Sequence, residues 1–223
     1  MIPWVIVDSA SVPGQDGVIR LYQRGRDFSI RIDERELMAS GIHGSETALA
    51  EETIQRLRGR SAVRILVGGL GMGYTLAAAL RVTDAESVIE VAELMPAVVA
   101  WNRGPLAHLA GAPLSDPRVR VLETDVAAPI RDAEGLYDAI LLDVDNGPRA
   151  LTSPANAQLY SPDGLAAAGA ALTPGGILAV WSAGPDPSFT SRLERADFKV
   201  EQLTVRARGA RGGRKYHLWL ATT

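Results

Sequence analysis

The run Ile65-Leu66-Val67-Gly68-Gly69-Leu70-Gly71-Met72-Gly73 carries an apolar strand into closely spaced glycines and then into a helical stretch. Glycines at such a junction let the backbone turn sharply and approach a ligand with no Cβ in the way. Turns of this kind serve dinucleotides, phosphates and S-adenosylmethionine alike, and some are only tight turns. Glu93 sharpens the reading, because it follows the next apolar run, residues 88–92, with Leu94 beside it. A carboxylate at a strand end can accept hydrogen bonds from both hydroxyls of a ribose, so the pair of features specifies a nucleoside site. No Gly-Lys-Ser/Thr follows the glycines, which leaves a triphosphate without its usual lysine. A nicotinamide dinucleotide stays open, although residues 69–73 space their glycines as GxGxG and not GxGxxG.

Two further carboxylates fall at strand ends. Asp125, followed by Val126, can accept from an adenine amino group or cap a helix, and the two roles can coexist. Asp143 closes the apolar run 139–142 and precedes Asp145, Asn146, Gly147 and Pro148. Open α/β sheets place their ligands at such strand ends, so Asp143 is a candidate catalytic group.

These residues need a scaffold that brings strand ends together, and the periodicity supplies one. Apolar runs at 63–67, 87–92, 119–122, 137–142 and 176–181 read as buried strands. Helical stretches at 75–81, 96–102 (extending towards residue 109), 126–131 and 161–172 separate them. This alternation predicts an α/β fold: a Rossmann-like, mostly parallel sheet with helices on both faces. Residues 200–205 and 216–221 predict a C-terminal antiparallel hairpin. Ahead of the core, 18–21 and 28–32 read as strands joined by a turn at 24–27, and 44–57 as an amphipathic helix. The expected division is a small N-terminal β element at 1–43 and a nucleoside-binding domain at 44–223.

At 223 residues the chain suffices for one substantial catalytic unit and is short for two. An apolar fraction of 47% argues against disorder, and a net charge of −3 argues against a polyanion binder. The absence of cysteine removes disulfides, thiolate nucleophiles and Cys-based metal sites, and no metal is expected. The N-terminal residues show no basic leader or cleavage pattern, and no apolar run approaches the roughly 20 residues of a membrane helix. A cytoplasmic protein without membrane contact is expected.

Over about residues 18–182 the chain resembles the spermidine synthase (polyamine aminopropyltransferase) family, which has the class I methyltransferase fold. The likeness is carried by GGLGMGYTL at 68–76 against that family's GGGDGGTL, and by VAELMPAVV at 91–99 against its VEID-type strand end. DPRVRVLETDV at 116–126, YDAILLDVDNGP at 137–148 and LYSPDGLAAAGAALTPGGILAVW at 159–181 extend it. The resemblance implies that Glu93 binds ribose, that Asp125 binds adenine and that Asp143 takes a proton from an attacking amine. It also places His43 and Glu46 near substrate, puts Tyr160 in a segment that closes over substrate, and suggests a homodimer. Where the family has acids, Met72 and Met95 stand here.

Those departures bear on the cofactor. Decarboxylated S-adenosylmethionine carries a sulfonium and a free ammonium that anions should anchor, whereas the tail carboxylate of S-adenosylmethionine would be repelled by an acid at position 72. The expected activity is therefore methyl transfer from S-adenosylmethionine to a small nucleophilic acceptor. Gly69, Leu70, Gly71, Met72, Gly73, Glu93, Leu94, Asp125, Val126 and Asp143 would hold the cofactor, and Asp143, Asp145 and Asn146 would act on the nucleophile. Aminopropyl transfer from the decarboxylated cofactor to a diamine is the alternative. A second is a non-catalytic nucleoside- or RNA-binding protein using the Arg-rich stretch 206–215, although the negative net charge and the lack of interleaved aromatics read that stretch as a solvated loop and make nucleic acid an unlikely partner.

Overall fold

A computed structural model describes residues 2–13, 16–33, 35–144, 147–148, 154–207 and 212–223. Its larger sheet has seven strands in the order β10-β11-β9-β8-β5-β6-β7. Strands β5 (Arg64–Gly68), β6 (Val88–Ala92), β7 (Val119–Leu122), β8 (Tyr137–Leu142) and β9 (Leu172–Ser182) run parallel. β10 (Lys199–Arg206) and β11 (Lys215–Thr222) pair antiparallel, and β11 adds antiparallel to β9. The expected parallel core with a terminal hairpin is therefore present. Ile65, Leu66 and Val67 are all 0% exposed, which requires cover on both faces of β5 and explains its unbroken apolar run.

The helices supply that cover. In α1 (Gly44–Arg56), Ser45, Leu49, Ala50 and Thr53 fall on one buried face. Its successor α2 (Tyr74–Val82) starts directly after the glycine turn, and α3 (Pro96–Arg103) places Pro at its start, where the missing N–H costs nothing. Next come α4 (Ala127–Asp132), α5 (Pro154–Leu159), α6 (Pro162–Ala171) and α7 (Pro187–Arg195). The stretch towards residue 109 forms a separate 3-10 turn, Ala107–Leu109.

The expected strands 18–21 and 28–32 belong to a four-stranded antiparallel sheet, β1 (Val5–Ser11), β2 (Val18–Arg24), β3 (Asp27–Ile32) and β4 (Arg35–Ala39), in that order. Ile19, Leu21, Phe28 and Ile30 join one apolar cluster with Leu49, Leu76 and Val67 of the larger layer. The two sheets thus share a core. Among the described residues no helix is long and apolar enough to cross a membrane.

Candidate active site

In the larger sheet the chain builds outward from β5 through β6 and β7, then crosses to β8 on the other side, so the ends of β5 and β8 flank a topological switch point. A cavity of about 140 Å³ opens there. Its floor is the glycine turn, Gly69 to Met72, with Thr75 at the start of α2. Asp143 and Trp181 stand at the ends of β8 and β9. The roof is built by Leu37, Met38 and Ala39 of β4, by Ile42 in the turn leading to α1, and by Glu46 on α1 itself.

Two positions of the turn combine left-handed backbone with little room for a side chain. Gly69 has φ +83°, and a Cβ there would lie 3.0 Å from the Asp143 carbonyl oxygen. Gly71 has φ +53°, and its Cβ would lie 3.0 Å from the Met38 methyl carbon. Left-handed backbone favours glycine at both positions, against the Asp143 backbone at Gly69 and the Met38 side chain at Gly71.

The two carboxylates of the cavity are held by hydroxyls. Thr75 Oγ1 donates to Asp143 Oδ2 at 2.8 Å, and Ser45 Oγ donates to Glu46 Oε2 at 2.6 Å. Among the described residues neither carboxylate has an Arg or Lys partner. Burial pushes the Asp143 carboxyl up to about 7, the Glu46 charge adds to the rise, and the Thr75 hydrogen bond opposes it. Burial likewise raises Glu46, against its Ser45 bond and the nearby His43. Two acids at one cavity in low dielectric resist ionising, and a bound cation would relieve them.

Tyr74 completes this wall. Its hydroxyl donates to the Ser40 carbonyl at 2.9 Å, and its ring stacks on His43 at 4.2 Å. His43 is exposed and supports the cavity through Tyr74 without lining it.

The residues expected to hold a nucleoside lie at the ends of β6 and β7. Glu93 is 8% exposed, accepting from Leu70 N at 2.9 Å and from Met95 N at 2.8 Å. Burial raises its carboxyl while these backbone N–H groups pull it down. The carboxylate is thereby fixed beside the glycine turn with lone pairs to spare, a geometry that fits ribose hydroxyls. Leu94 beside it is 47% exposed and available to a ligand, and Gly73 is the turn's last residue before α2. Asp125 Oδ1 accepts at 2.9 Å from the N–H of Ala127, the first residue of α4, while Val126 and not Asp125 occupies the N-cap position. Val126 is 5% exposed and packs over Gly68, where a Cβ would lie 3.0 Å from its methyl carbon.

Tyr160 requires correction: it is 0% exposed, meets Phe189 edge-on at 5.6 Å in the second apolar layer, and does not line the cavity. Asp145 and Asn146 lie outside the described residues, as do 208–211 of the Arg-rich stretch. Gly147, after the first of these gaps, has φ +89° and would place a Cβ 2.6 Å from Ser182 Cβ. Residue 147 therefore sits tightly against β9. Sequence reasoning overlooked Thr75, Tyr74 and the β4 roof; of these Thr75, two residues after the last glycine of the turn, carried a usable signal.

A seven-stranded sheet of this order, preceded by an antiparallel sheet that roofs the switch point, is a spermidine synthase-like α/β fold. The structure resembles a spermidine synthase solved with the transition-state analogue AdoDATO and the spermidine synthase of Thermotoga maritima, each at TM-score 0.73 and 15% identity over 97% of this chain and 72% of theirs. A probable spermidine synthase from Corynebacterium glutamicum matches at TM-score 0.66 and 16% identity, over 98% of this chain and 80% of its own. By sequence the chain is a distant relative of proteins named polyamine aminopropyltransferase from Mycobacterium tuberculosis and Mycobacterium bovis, 33% identical over 124 residues. That stretch is 54% of this chain and 23% of those relatives, so the chain spans about a quarter of their length. No family model matches.

Proposed function

We propose that this protein is an aminopropyltransferase that alkylates an amine with the propylamine group of decarboxylated S-adenosylmethionine. The observation that carries the proposal is the pair Glu46 and Asp143, two carboxylates without a basic side-chain partner among the described residues, at one cavity beside a nucleoside-shaped strand edge. The names of the sequence relatives point the same way. This reverses the preference for methyl transfer that Met72 and Met95 suggest from sequence. An acid is indeed absent at position 72, but Glu46 reaches the cavity from α1 and supplies a second negative charge beside Asp143.

The cofactor supplies an electrophilic carbon on a positive sulfur. Glu93 would hold the ribose, Asp125 would face the adenine, and the glycine turn would let the backbone approach the nucleoside. Asp143 accepts a proton from the alkylammonium acceptor, freeing the nitrogen lone pair. That nitrogen forms a bond to the propyl carbon next to sulfur, the carbon–sulfur bond breaks, and its electron pair leaves on sulfur as neutral methylthioadenosine. Alignment of nitrogen, carbon and sulfur does most of the remaining work.

Methyl transfer is the second reading, favoured by Met72, which is 3% exposed and lines the cavity where an acid would repel a carboxylate tail. Titration calorimetry with both cofactors separates the two. Tighter binding of the decarboxylated form, with methylthioadenosine released on adding amines, supports aminopropyl transfer; tighter binding of the intact form establishes the methyl reading instead. A cytoplasmic homodimer belongs to the same proposal. β1 supports the dimer: it is an edge strand whose Val5 and Ile6 are 60% and 55% exposed. Sedimentation at twice the monomer mass, lost on Ile6→Lys, is the expected result.

A further inference from the structure

Threonine hydroxyls on the helices of this chain have two kinds of destination. Thr53 Oγ1 donates to the Leu49 carbonyl at 2.6 Å, and Thr83 Oγ1, just past α2, donates to the Ala79 carbonyl at 2.9 Å, each four residues back along its own helix. This is the ordinary local bond of a helical threonine. Thr75 does otherwise. It is 3% exposed in the first turn of α2, and its hydroxyl crosses to Asp143 Oδ2 at the end of β8. Four residues before it stands Gly71, in the turn and not in the helix, whose carbonyl accepts from Asn102 Nδ2 at 2.8 Å. The local acceptor is thus held from α3, and the Thr75 proton goes to the acid.

Resting on the reading of Asp143 as the base, we infer that Thr75 is a positioning residue for it: the hydroxyl fixes Oδ2 as the oxygen that holds negative charge, so that the proton of the alkylammonium is taken on Oδ1.

A threonine hydroxyl has one proton to donate. While that proton goes to Oδ2, a neutral Asp143 carries its acid proton on Oδ1. The same bond favours the ionised base, because a donor at 2.8 Å stabilises a carboxylate more than a carboxylic acid. It works against burial and against the Glu46 charge, both of which favour the protonated form. Among the described residues two further titratable groups belong to this junction. Tyr74 adjoins Thr75 on α2, its phenol raised by burial and by Glu46 and so uncharged near neutral pH, and His43 stacks on Tyr74 from ahead of α1. These groups and Glu46 stay in place when only position 75 changes, so a difference between variants reports the hydroxyl. A bond that served only to hold α2 on β8 would alter stability and leave the protonation of Asp143 where it is.

Thr75→Val, which keeps the side chain's shape and removes the hydroxyl, and Thr75→Ser, which keeps the hydroxyl, separate the two roles. Protein labelled with carbon-13 at its aspartate carboxyls is titrated by NMR, the Asp143 signal being identified by its loss in Asp143→Asn. The wild-type midpoint of about 7 should move up by about one pH unit or more in Thr75→Val, the scale of a lost hydrogen bond to a charged group, and stay near the wild-type value in Thr75→Ser. Methylthioadenosine release from Thr75→Val should fall about fivefold or more near neutral pH, and most of that deficit should close by about pH 9 as the base ionises. A Thr75→Val midpoint equal to wild type, a Thr75→Ser midpoint raised as far as that of Thr75→Val, or a rate deficit that does not narrow with pH overturns the inference. If Thr75→Val does not fold, Thr75→Ala makes the same comparison without the branched bulk. Failure of the wild type to release methylthioadenosine with any amine counts against the aminopropyl reading, and the carboxyl titration then decides the role of Thr75 by itself.

Discussion

Asp143 is asked both to sit poorly solvated in the fold and to take a proton, and the two demands are separable by substitution. Asp143→Asn should lower turnover by about 10² or more, measured as methylthioadenosine release, and by more than it weakens nucleoside binding in calorimetry. Because its carboxyl is raised to about 7, the wild-type rate should climb with pH through that value as the base loses its proton. The stability effect has the opposite sense. A carboxyl raised above its ordinary 3.8 binds its proton more tightly in the fold, so stability is lost as pH rises from 3.8 towards 7. Asp143→Asn should therefore melt higher than wild type at pH 7.5, by about 1 kcal/mol or more, roughly 2–4 °C for a chain of this size. For Glu93→Ala, nucleoside binding should weaken by about 10- to 100-fold through loss of charge-assisted bonds. Glu93 and Asp143 were legible because each ends an apolar run, a relation that survives in one dimension. Trp181 and Tyr160 were not. Both sit in apolar stretches, and only the placement of neighbouring strand ends decides that Trp181 borders a cavity while Tyr160 is sealed against Phe189.

At the scale of elements, the parallel core was readable because strands covered on both faces must be continuously apolar. The roof was not: β4 shows no alternation, with Arg35, Glu36 and Leu37 all exposed, and its pairing with β3 shifts register between Ile30 and Arg31. Helix α7 also escaped notice, though Asp186 caps the N–H groups of Ser188 and Phe189 and Pro187 opens it. Its nine residues bury only Phe189 and Leu193, too few to make a periodic signal. The closeness of roof and floor gives an element-level prediction. Gly71→Ala forces a side chain into left-handed backbone and against Met38, and should cost about 1–3 kcal/mol in denaturant unfolding and weaken cofactor binding. Gly147→Ala, facing the Ser182 side chain and the Trp181 carbonyl at 2.6–2.7 Å, should destabilise at least as much.

Across the whole molecule the smaller sheet is tied down at more than one place. Asp8 on β1 accepts from the Trp101 indole N–H at 2.7 Å, and Trp101 itself is 2% exposed on α3. Removing the acceptor in Asp8→Ala should cost about 1 kcal/mol. With one apolar cluster spanning both sheets, the loss should appear as a shifted single unfolding transition and not as early release of the N-terminal strands. The carboxylate pair extends this coupling to solution conditions. With the Asp143 carboxyl raised to about 7, its partial protonation near neutral pH eases the repulsion between Glu46 and Asp143 across the junction of α1 and β8. A cation arriving at that junction does the proton's work and displaces it. Ligand entry should then release a fraction of a proton to the buffer near neutral pH, so that the heat of binding varies with the buffer's own ionisation enthalpy.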